Sequence, residues 1–259
     1  MLPVSLYDEL EIVRPKEPQA ANATKGRLRV VCDHPWVPNG QKNLAYRAAS
    51  LMLKEAGLNE PVTIRIHKRI PVGAGLGGGS TDAAATLIGL NRLFRLGYTP
   101  KRLEKLSAAL GADVPFFIRG VPARARGIGE RLTFLRGVPR FWLVILYPGF
   151  PVATAWVYRN WRDKLTKPIV NISINFAPRR PEKYKSLLVN DLEAVAIGRY
   201  PRIGLLKKRL VENGAVGALM SGSGSSVFGI FKSRRDAEQA FRRLRKEEKV
   251  QTFLVHILN

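Results

Sequence analysis

The sequence has one cysteine, Cys32, and only three histidines, His34, His67 and His256. A single cysteine cannot form an intrachain disulfide, and it argues against a cysteine-based metal site. The histidines lie far apart and lack the i, i+4 spacing by which two histidines on one helix bind a metal. We therefore expect ordinary surface or core roles for them, and no metal held in a fixed protein cage.

Long apolar runs are also missing, since no stretch approaches the length that a membrane-spanning helix needs. The first residues lack the basic region, apolar region and small-residue cleavage site of a signal peptide. These absences predict a soluble cytoplasmic protein that has no membrane partner.

Acidic residues are scarce: 20 Asp and Glu stand against 43 Lys and Arg, which gives a formal charge of +23. Such a field attracts nucleic acid, anionic lipid and nucleotides alike. The basic residues are spread along the chain rather than collected in one tail. The charge therefore favours phosphorylated ligands without choosing among them.

Apolar periodicity predicts a mixed α+β protein. We expect Asn43 to cap a helix over residues 43–56 and Gly57 to follow its end. Further strands are predicted at 6–12, 27–32, 62–67, 141–147, 216–220, 226–231 and 252–258, with helices at 81–94, 103–110, 203–212 and 235–248 and a loop with short helix over 159–184. Pro148-Gly149 marks a turn, so we expect one domain over 1–147 and a second over 148–259.

A glycine-rich run lies between the strand at 62–67 and the helix at 81–94. It contains Gly73, Gly75, Gly77, Gly78 and Gly79, five glycines in seven residues. Glycine lets the backbone turn tightly and approach a ligand closely, and a helix N-terminus offers unpaired N–H groups to an anion. This combination predicts a phosphate-binding loop rather than a flexible connector.

Two common phosphate-binding motifs fail in this run. The dinucleotide fingerprint needs an acidic residue about twenty positions on, at the end of a second strand. Residues 95–99 supply neither an acid nor a strand. A Walker A motif needs a lysine where Gly79 stands.

A third motif matches throughout. Residues 71–81 read Pro-Val-Gly-Ala-Gly-Leu-Gly-Gly-Gly-Ser-Thr, which resembles the P-x-[GA]-x-G-L-G-[GS]-[GS]-[SA] loop of the GHMP kinases. Further segments are similar to the 4-diphosphocytidyl-2-C-methyl-D-erythritol kinase branch of that family, in the family's order: 6–10, 43–48, 110–117, 127–130, 148–149 with 154–155, 190–193 and 221–226.

The resemblance implies a two-domain GHMP kinase fold. Its N-terminal domain is expected to be like ribosomal protein S5 domain 2, and its C-terminal domain to be a ferredoxin-like α/β sandwich. The implied activity is ATP-dependent phosphorylation of a hydroxyl of 4-diphosphocytidyl-2-C-methyl-D-erythritol, a step toward isoprenoid precursors, with Mg²⁺. The partner would be a small molecule that carries a cytidine diphosphate.

The resemblance also assigns roles to residues. Asp113 falls at the family's catalytic aspartate, although it also suits an ordinary helix N-cap before Val114-Pro115. Tyr158 and, more weakly, Thr154 are expected to contact the substrate, and Ser80 to contact phosphate or Mg²⁺. The loop at 221–226 either closes one side of the site or is a permissive turn. The ATP phosphates would be wrapped by Pro71, Val72, Gly73, Ala74, Gly75, Leu76, Gly77, Gly78, Gly79, Ser80 and Thr81.

The sequence departs from the family's pattern at its start. Members begin with a Pro-Ala-Lys-x-Asn strand and an Asp-Gly-Tyr-His turn, and neither precedes Leu6. A start assigned too far downstream, a fragment and a remodelled protein would each explain this, and we expect one of the first two. The lysine of that strand would be the cationic partner of Asp113. We therefore expect the 259-residue chain by itself to be nearly inactive.

Two other functions stay open. Another GHMP kinase, acting on homoserine, mevalonate or a sugar, is the nearer alternative. A basic nucleic-acid-binding protein is the alternative from another class, because six basic residues crowd the predicted helix near residues 233–248. A solvated basic face is the commoner reading of such a helix.

Overall fold

The computed structural model describes residues 1–15, 28–126, 131–162 and 187–259. Within them the chain forms two compact units. Unit 1 contains Met1, Tyr7–Val72 and Gly77–Phe134, and unit 2 contains Leu2–Leu6, Gly73–Leu76 and Leu135–Asn259. The domain boundary predicted after residue 147 stays a prediction.

Unit 1 is built on a three-stranded sheet in the order β1-β3-β2. Strand β1 is Glu9–Val13, β2 is Leu28–Cys32 and β3 is Val62–His67. Strand β3 pairs antiparallel with β1 and parallel with β2. Its alternation places Val62, Ile64 and Ile66 in the core and turns the polar residues between them outward.

In the described part of unit 1, four helices and a second sheet complete the unit. The helices are α1 Leu44–Glu55, α2 Gly78–Leu93, α3 Pro100–Ser107 and α4 Val114–Arg119. Strands β4 Ala123–Arg126 and β5 Arg131–Phe134 pair antiparallel. Helices α1 and α2 share one core with the sheet, in which small residues such as Ala48 and Ala83 let the helices approach and Leu87 fills the centre.

Unit 2 is built on a four-stranded antiparallel sheet in the order β7-β8-β6-β9. In chain order its elements are β6 Trp142–Tyr147, α5 Thr154–Arg162, α6 Glu193–Arg199, α7 Pro201–Glu212, β7 Gly217–Met220, β8 Val227–Phe231, α8 Arg234–Glu247 and β9 Gln251–His256. Strand β6 is continuously apolar because both of its faces are covered. Val144 and Leu146 pack with the helices, whereas Leu143 and Ile145 join a second cluster on the opposite face.

The first residues of unit 2 lie beside its last strand. Val4 forms an isolated bridge with Ile257. The N–H of Ser5 donates to the carbonyl of His256, and the N–H of Leu258 donates to the carbonyl of Pro3. Segments far apart in sequence therefore meet at this edge of the sheet.

The predicted elements are confirmed in most places, and helix α1 is confirmed with its cap. The Asn43 side chain accepts from the N–H of Ala45 at 2.8 Å, and Gly57 has φ +64°. Helix α2 starts at Gly78 rather than at residue 81, because the last glycines of the run are helical. Helix α3 starts at Pro100 rather than at 103, because Thr99 caps it and Pro100 suits the first turn.

Other elements were not predicted. Strands β4 and β5 and helices α4 and α6 gave no periodic signal, and α5 occupies residues 154–162, part of which was expected to be loop. The rest of the predicted loop, 163–184, and the motif at 127–130 lie outside the described residues. Helix α8 exposes the basic face that suggested nucleic-acid binding, and that suggestion stays a prediction. In the part of the chain that the structure describes, no helix is both long and apolar enough to cross a membrane.

Candidate active site

The N-terminus of α2 carries open backbone donors. Gly77 is the N-cap in the left-handed conformation (φ 73°), and no side chain caps the helix. The N–H of Thr81 is the first to close a helical bond, onto the carbonyl of Gly77 at 2.9 Å. The amides of Gly78, Gly79 and Ser80 are therefore the orphan donors of this first turn, and the helix dipole adds positive potential there. This is the chemistry that a phosphate group requires.

Asp113 begins the short helix α4, which packs near that N-terminus. The ring of Phe117 on α4 lies so close to Gly77 that a Cβ on Gly77 would come within 2.8 Å of it. Asp113 precedes Phe117 by one turn, about 6 Å along the helix. Asp113 therefore lies one turn before the residue of α4 that borders the start of α2.

The carboxylate of Asp113 is not used as a helix cap. Although Asp113 occupies the N-cap position, its side chain makes no capping hydrogen bond. Among the described residues it accepts no hydrogen bond at all, and it stays exposed. Partial burial raises the pKa of Asp113 above its ordinary value, and the nearby Met1 ammonium opposes that rise. The carboxylate is accessible and makes no hydrogen bond to the described residues, but it interacts electrostatically with the Met1 ammonium. Such a carboxylate can meet a ligand and does not stabilise the helix as a cap.

A buried ion cluster of Asp8, Lys68 and Asp82 lies under the same helix end. The Lys68 ammonium donates to Asp8 at 2.5 Å and to Asp82 at 2.9 Å, and all three side chains are at most 5% exposed. The Asp82 Oδ1 atom is buried and has no hydrogen-bond partner among the described residues. The cluster therefore holds two carboxylates on one ammonium.

The charges of this cluster shift its pKa values. Burial raises the pKa of Asp82 to about 7, with a further rise from Asp8 and an opposing pull from Lys68. Burial acts against the charge of Lys68, but the two carboxylates outweigh it and raise the pKa of Lys68. Lys68 therefore stays protonated, whereas burial and the second carboxylate favour the protonated, neutral form of Asp82.

In unit 2 the glycine segment 73–76 interlocks with the loop at 221–226. The Ser221 hydroxyl donates to the carbonyl of Gly75 at 2.9 Å, and the N–H of Ser226 donates to the carbonyl of Ala74 at 3.1 Å. A Cβ on Gly75 would lie 2.1 Å from the carbonyl oxygen of Ser221 and 2.9 Å from that of Gly224. The two loops thus touch backbone to backbone.

Thr154 and Tyr158 are brought together by helix α5. They are four residues apart, so they lie on one face of the helix. The Thr154 hydroxyl is 2.8 Å from the Ser223 hydroxyl of the same loop, and the Tyr158 side chain is 48% exposed. Unit 2 therefore presents the Thr154 hydroxyl and the Tyr158 ring on one surface, whereas Ser223 is buried.

The residues predicted for the site are distributed over both units. Pro71, Val72, residues 77–81 and Asp113 belong to unit 1, whereas residues 73–76, Thr154 and Tyr158 belong to unit 2. Sequence reasoning missed the Asp8–Lys68–Asp82 cluster and Ser223. The available signal was the position of Lys68 just before the loop and of Asp82 just inside the helix.

A substitution at Gly75 tests the contact between the loops. Gly75→Ala places a Cβ against backbone atoms and also imposes a positive φ on a residue with a side chain. We expect it to lower the free energy of unfolding by about 2 kcal/mol or more and to abolish nucleotide binding. Chemical denaturation and calorimetric titration with ATP measure the two effects.

Gly137→Ala is the matched control. Gly137 has φ +70°, and a Cβ added to it would have nothing within 4 Å, so it reports the backbone strain alone, about 1 kcal/mol. Equal losses of stability in the two variants would contradict a tight contact at Gly75.

The pH dependence of stability tests the buried cluster. The Asp82 carboxyl has an ordinary pKa of 3.8 and a folded pKa of about 7, so its favourable contribution is complete below pH 4 and is lost as pH rises through 7. Asn cannot ionise, so the Asp82→Asn variant does not lose this stability as pH rises. The variant should therefore gain stability relative to the native chain between pH 5 and pH 8, by at most roughly 4 kcal/mol, in urea unfolding at each pH.

Asp33→Asn is the control, because the pKa of Asp33 is shifted in the opposite direction to that of Asp82. The N–H of Lys68 donates to Asp33 and lowers the pKa of this exposed carboxylate. Its substitution should bring no gain at higher pH. If Asp82→Asn behaves like Asp33→Asn, the pKa of Asp82 is not raised.

Comparison with known proteins gives matches over most of the chain. Residues 43–121 match the GHMP kinases N terminal domain, and residues 180–250 match the GHMP kinases C terminal domain. A 4-diphosphocytidyl-2-C-methyl-D-erythritol kinase of Geobacter sp. (strain M21) is 46% identical over 94% of this chain and 83% of its own length.

Solved structures give the same result. A crystal structure of 4-(cytidine 5'-diphospho)-2C-methyl-D-erythritol kinase superposes with a TM-score of 0.76 at 35% identity, covering 100% of this chain and 88% of that one. Mevalonate kinase of Methanococcus jannaschii reaches 0.74 at 13% identity, over 100% and 90% of the two chains, which shows the shared fold alone. The expected GHMP kinase fold of mixed α+β content is thus confirmed. The chain belongs to the GHMP kinase family, in its 4-diphosphocytidyl-2-C-methyl-D-erythritol kinase branch.

Proposed function

We propose that this protein transfers the γ-phosphoryl group of ATP to a hydroxyl of 4-diphosphocytidyl-2-C-methyl-D-erythritol. The observation that carries the proposal is the uncapped start of α2, with its free amides, in a chain that is 46% identical to a kinase of this name. Kinases of the GHMP family use ATP. The likeness to mevalonate and homoserine kinases, at 13% and 18% identity, supports the fold and not their substrates.

The loop from Pro71 to Thr81 is the proposed binding segment for the ATP phosphates. Phosphoryl transfer depends mainly on positioning and on neutralising charge at the phosphate oxygens. The amides of Gly78, Gly79 and Ser80 provide both, because they are fixed by the helix and point outward from its positive end. No side chain of the described residues competes for these donors.

Asp113 is the proposed catalytic residue. Its carboxylate would accept a hydrogen bond from the acceptor hydroxyl and orient it toward the γ-phosphorus. As the new oxygen–phosphorus bond forms, the bond from the γ-phosphorus to the bridging oxygen breaks, ADP leaves, and the hydroxyl proton passes to Asp113. The lack of any hydrogen bond that engages this carboxylate within unit 1 supports the role.

The described residues fit Mg²⁺ only as a companion of the nucleotide. They contain no group of three or more acidic, histidine or cysteine side chains that would bind a metal ion, and the Asp82 carboxylate is occupied by Lys68. The Ser80 hydroxyl, in the first turn of α2, is the proposed protein contact. Mg²⁺ usually keeps several waters and binds through substrate phosphates, and it would neutralise part of their charge.

Tyr158 and Thr154 are the proposed contacts to the substrate. The exposed ring of Tyr158 offers an aromatic face on which a cytosine can stack. The exposed Thr154 hydroxyl, which lies 2.8 Å from the buried Ser223 hydroxyl, offers a donor and an acceptor beside it. These roles rest on the surface chemistry of unit 2.

Phosphoryl transfer to three acceptors tests the proposal. ATP consumption and mass spectrometry of the product are measured for 4-diphosphocytidyl-2-C-methyl-D-erythritol, mevalonate and homoserine. We expect phosphorylation of the first acceptor only.

Asp113→Asn tests the catalytic role. We expect kcat to fall by about 100-fold or more with little change in the KM for ATP, because the loop is untouched. Glu55→Gln alters an exposed ion pair with Arg102 in the same unit and should leave both constants unchanged. An Asp113→Asn enzyme with native kcat, or preference for another acceptor, would refute the corresponding part of the proposal.

A further inference from the structure

The Asp8–Lys68–Asp82 cluster connects the two ends of the proposed phosphate loop. Lys68 lies three residues before Pro71, and Asp82 directly follows Thr81. A single ammonium therefore bridges the backbone that enters the loop and the helix that leaves it. Nothing in the proposed chemistry uses these three side chains directly.

Asp8 fixes the entry side. Its Oδ1 atom accepts from the N–H of Arg69 at 2.6 Å and from the N–H of Ile70 at 2.8 Å, and its Oδ2 atom accepts from Lys68 at 2.5 Å. One carboxylate thus holds three consecutive residues, and this leaves the backbone little freedom just before the loop begins.

Asp82 fixes the exit side. It lies in α2 about one turn beyond Gly78 and accepts from Lys68 at 2.9 Å. A Cβ on Gly78 would come within 3.2 Å of the Lys68 Nζ atom, so the ammonium lies directly against the first turn of the helix. The cluster therefore contacts the turn whose amides are proposed to bind phosphate.

Burying this cluster contributes little to the stability of the fold. Two carboxylates share one ammonium in a site that is almost closed to water, and Asp82 Oδ1 is buried without a partner among the described residues. Buried ion pairs of this kind are often no more stable than apolar groups of the same size. A purely stabilising role thus accounts poorly for Asp82.

We propose that Asp8, Lys68 and Asp82 are positioning residues that hold the first turn of α2 at the spacing required for the ATP phosphates. The inference rests on the proposed function of the loop. Lys68 is too enclosed to contact the nucleotide, and the cluster acts through the backbone at both ends of the loop.

A pair of substitutions at Asp82 tests the proposal. Asp82→Leu is close in shape and removes the acceptor for Lys68, while Lys68 and Asp8 remain as a neutral pair. Asp82→Asn keeps an oxygen that accepts from Lys68. We expect Asp82→Leu to raise the Kd and the KM for ATP about ten-fold with kcat within about three-fold of native, and Asp82→Asn to restore near-native ATP affinity.

The control and the binding assay separate the outcomes. Glu9→Gln alters the exposed ion pair of Glu9 with Arg69, next to the cluster, and should leave ATP binding unchanged. Calorimetric titration with ATP is run on each chain together with thermal unfolding. If the native chain binds no ATP, the proposed function of the loop fails.

If the native chain binds ATP and a folded Asp82→Leu binds it equally well, the positioning role is wrong, even when the melting temperature falls. Equal losses of ATP affinity in Asp82→Leu and Asp82→Asn would also overturn it. Asp82→Asn keeps the hydrogen bond from Lys68, so loss of that bond could not then be the cause. If Asp82→Leu fails to fold, Asp8→Asn becomes the test of the positioning role. The single oxygen of Asn cannot accept from Lys68 and from both backbone amides, as the two oxygens of the carboxylate do. A folded Asp8→Asn with native Kd for ATP would refute the proposal.

Discussion

The contact between the backbones of segment 73–76 and the loop at 221–226 is the constraint on which the candidate site depends most. At Gly75 the space for a side chain is already filled by the carbonyl oxygens of Ser221 and Gly224. The contact is polar as well as close, because the Ser221 hydroxyl and the Ser226 amide both donate across it. Such a contact tolerates little adjustment. It explains why two glycine-rich segments almost 150 residues apart in sequence belong to one compact unit.

Much of the fold could be predicted from the sequence, and the failures have physical causes. Strand β3 and helix α1 show clear periods of 2 and 3.6 residues, and Asn43 is a strong cap, so these elements were placed correctly. The start of helix α2 was predicted three residues too late because glycine is a poor helix former. The same glycines leave the first turn without a side-chain cap, so its backbone amides stay open. Strands β4 and β5 are short and rich in arginine, and four residues are too few to establish an alternation.

The candidate site was predictable only in part. The glycine motif and Asp113 were identified because they lie in segments that resemble a known family, and their roles in the site stay predictions. The Asp8–Lys68–Asp82 cluster was missed because its members are separated by 60 and 14 residues, and no periodic pattern shows which charges will be buried together. Helix α5 was also missed, although it is what places Thr154 and Tyr158 on one face.

The bridge between Val4 and Ile257 has a consequence for the order in which the chain folds during synthesis. Unit 2 needs β9 beside its central strand β6 and needs residues 2–6 beside β9, so it cannot be completed until residues 251–257 have left the ribosome. Residues 7–72 and 77–134 of unit 1 emerge well before that. During translation, the apolar strand β6 must therefore wait for partners that lie about a hundred residues ahead, a period in which chaperone binding would protect it from aggregation.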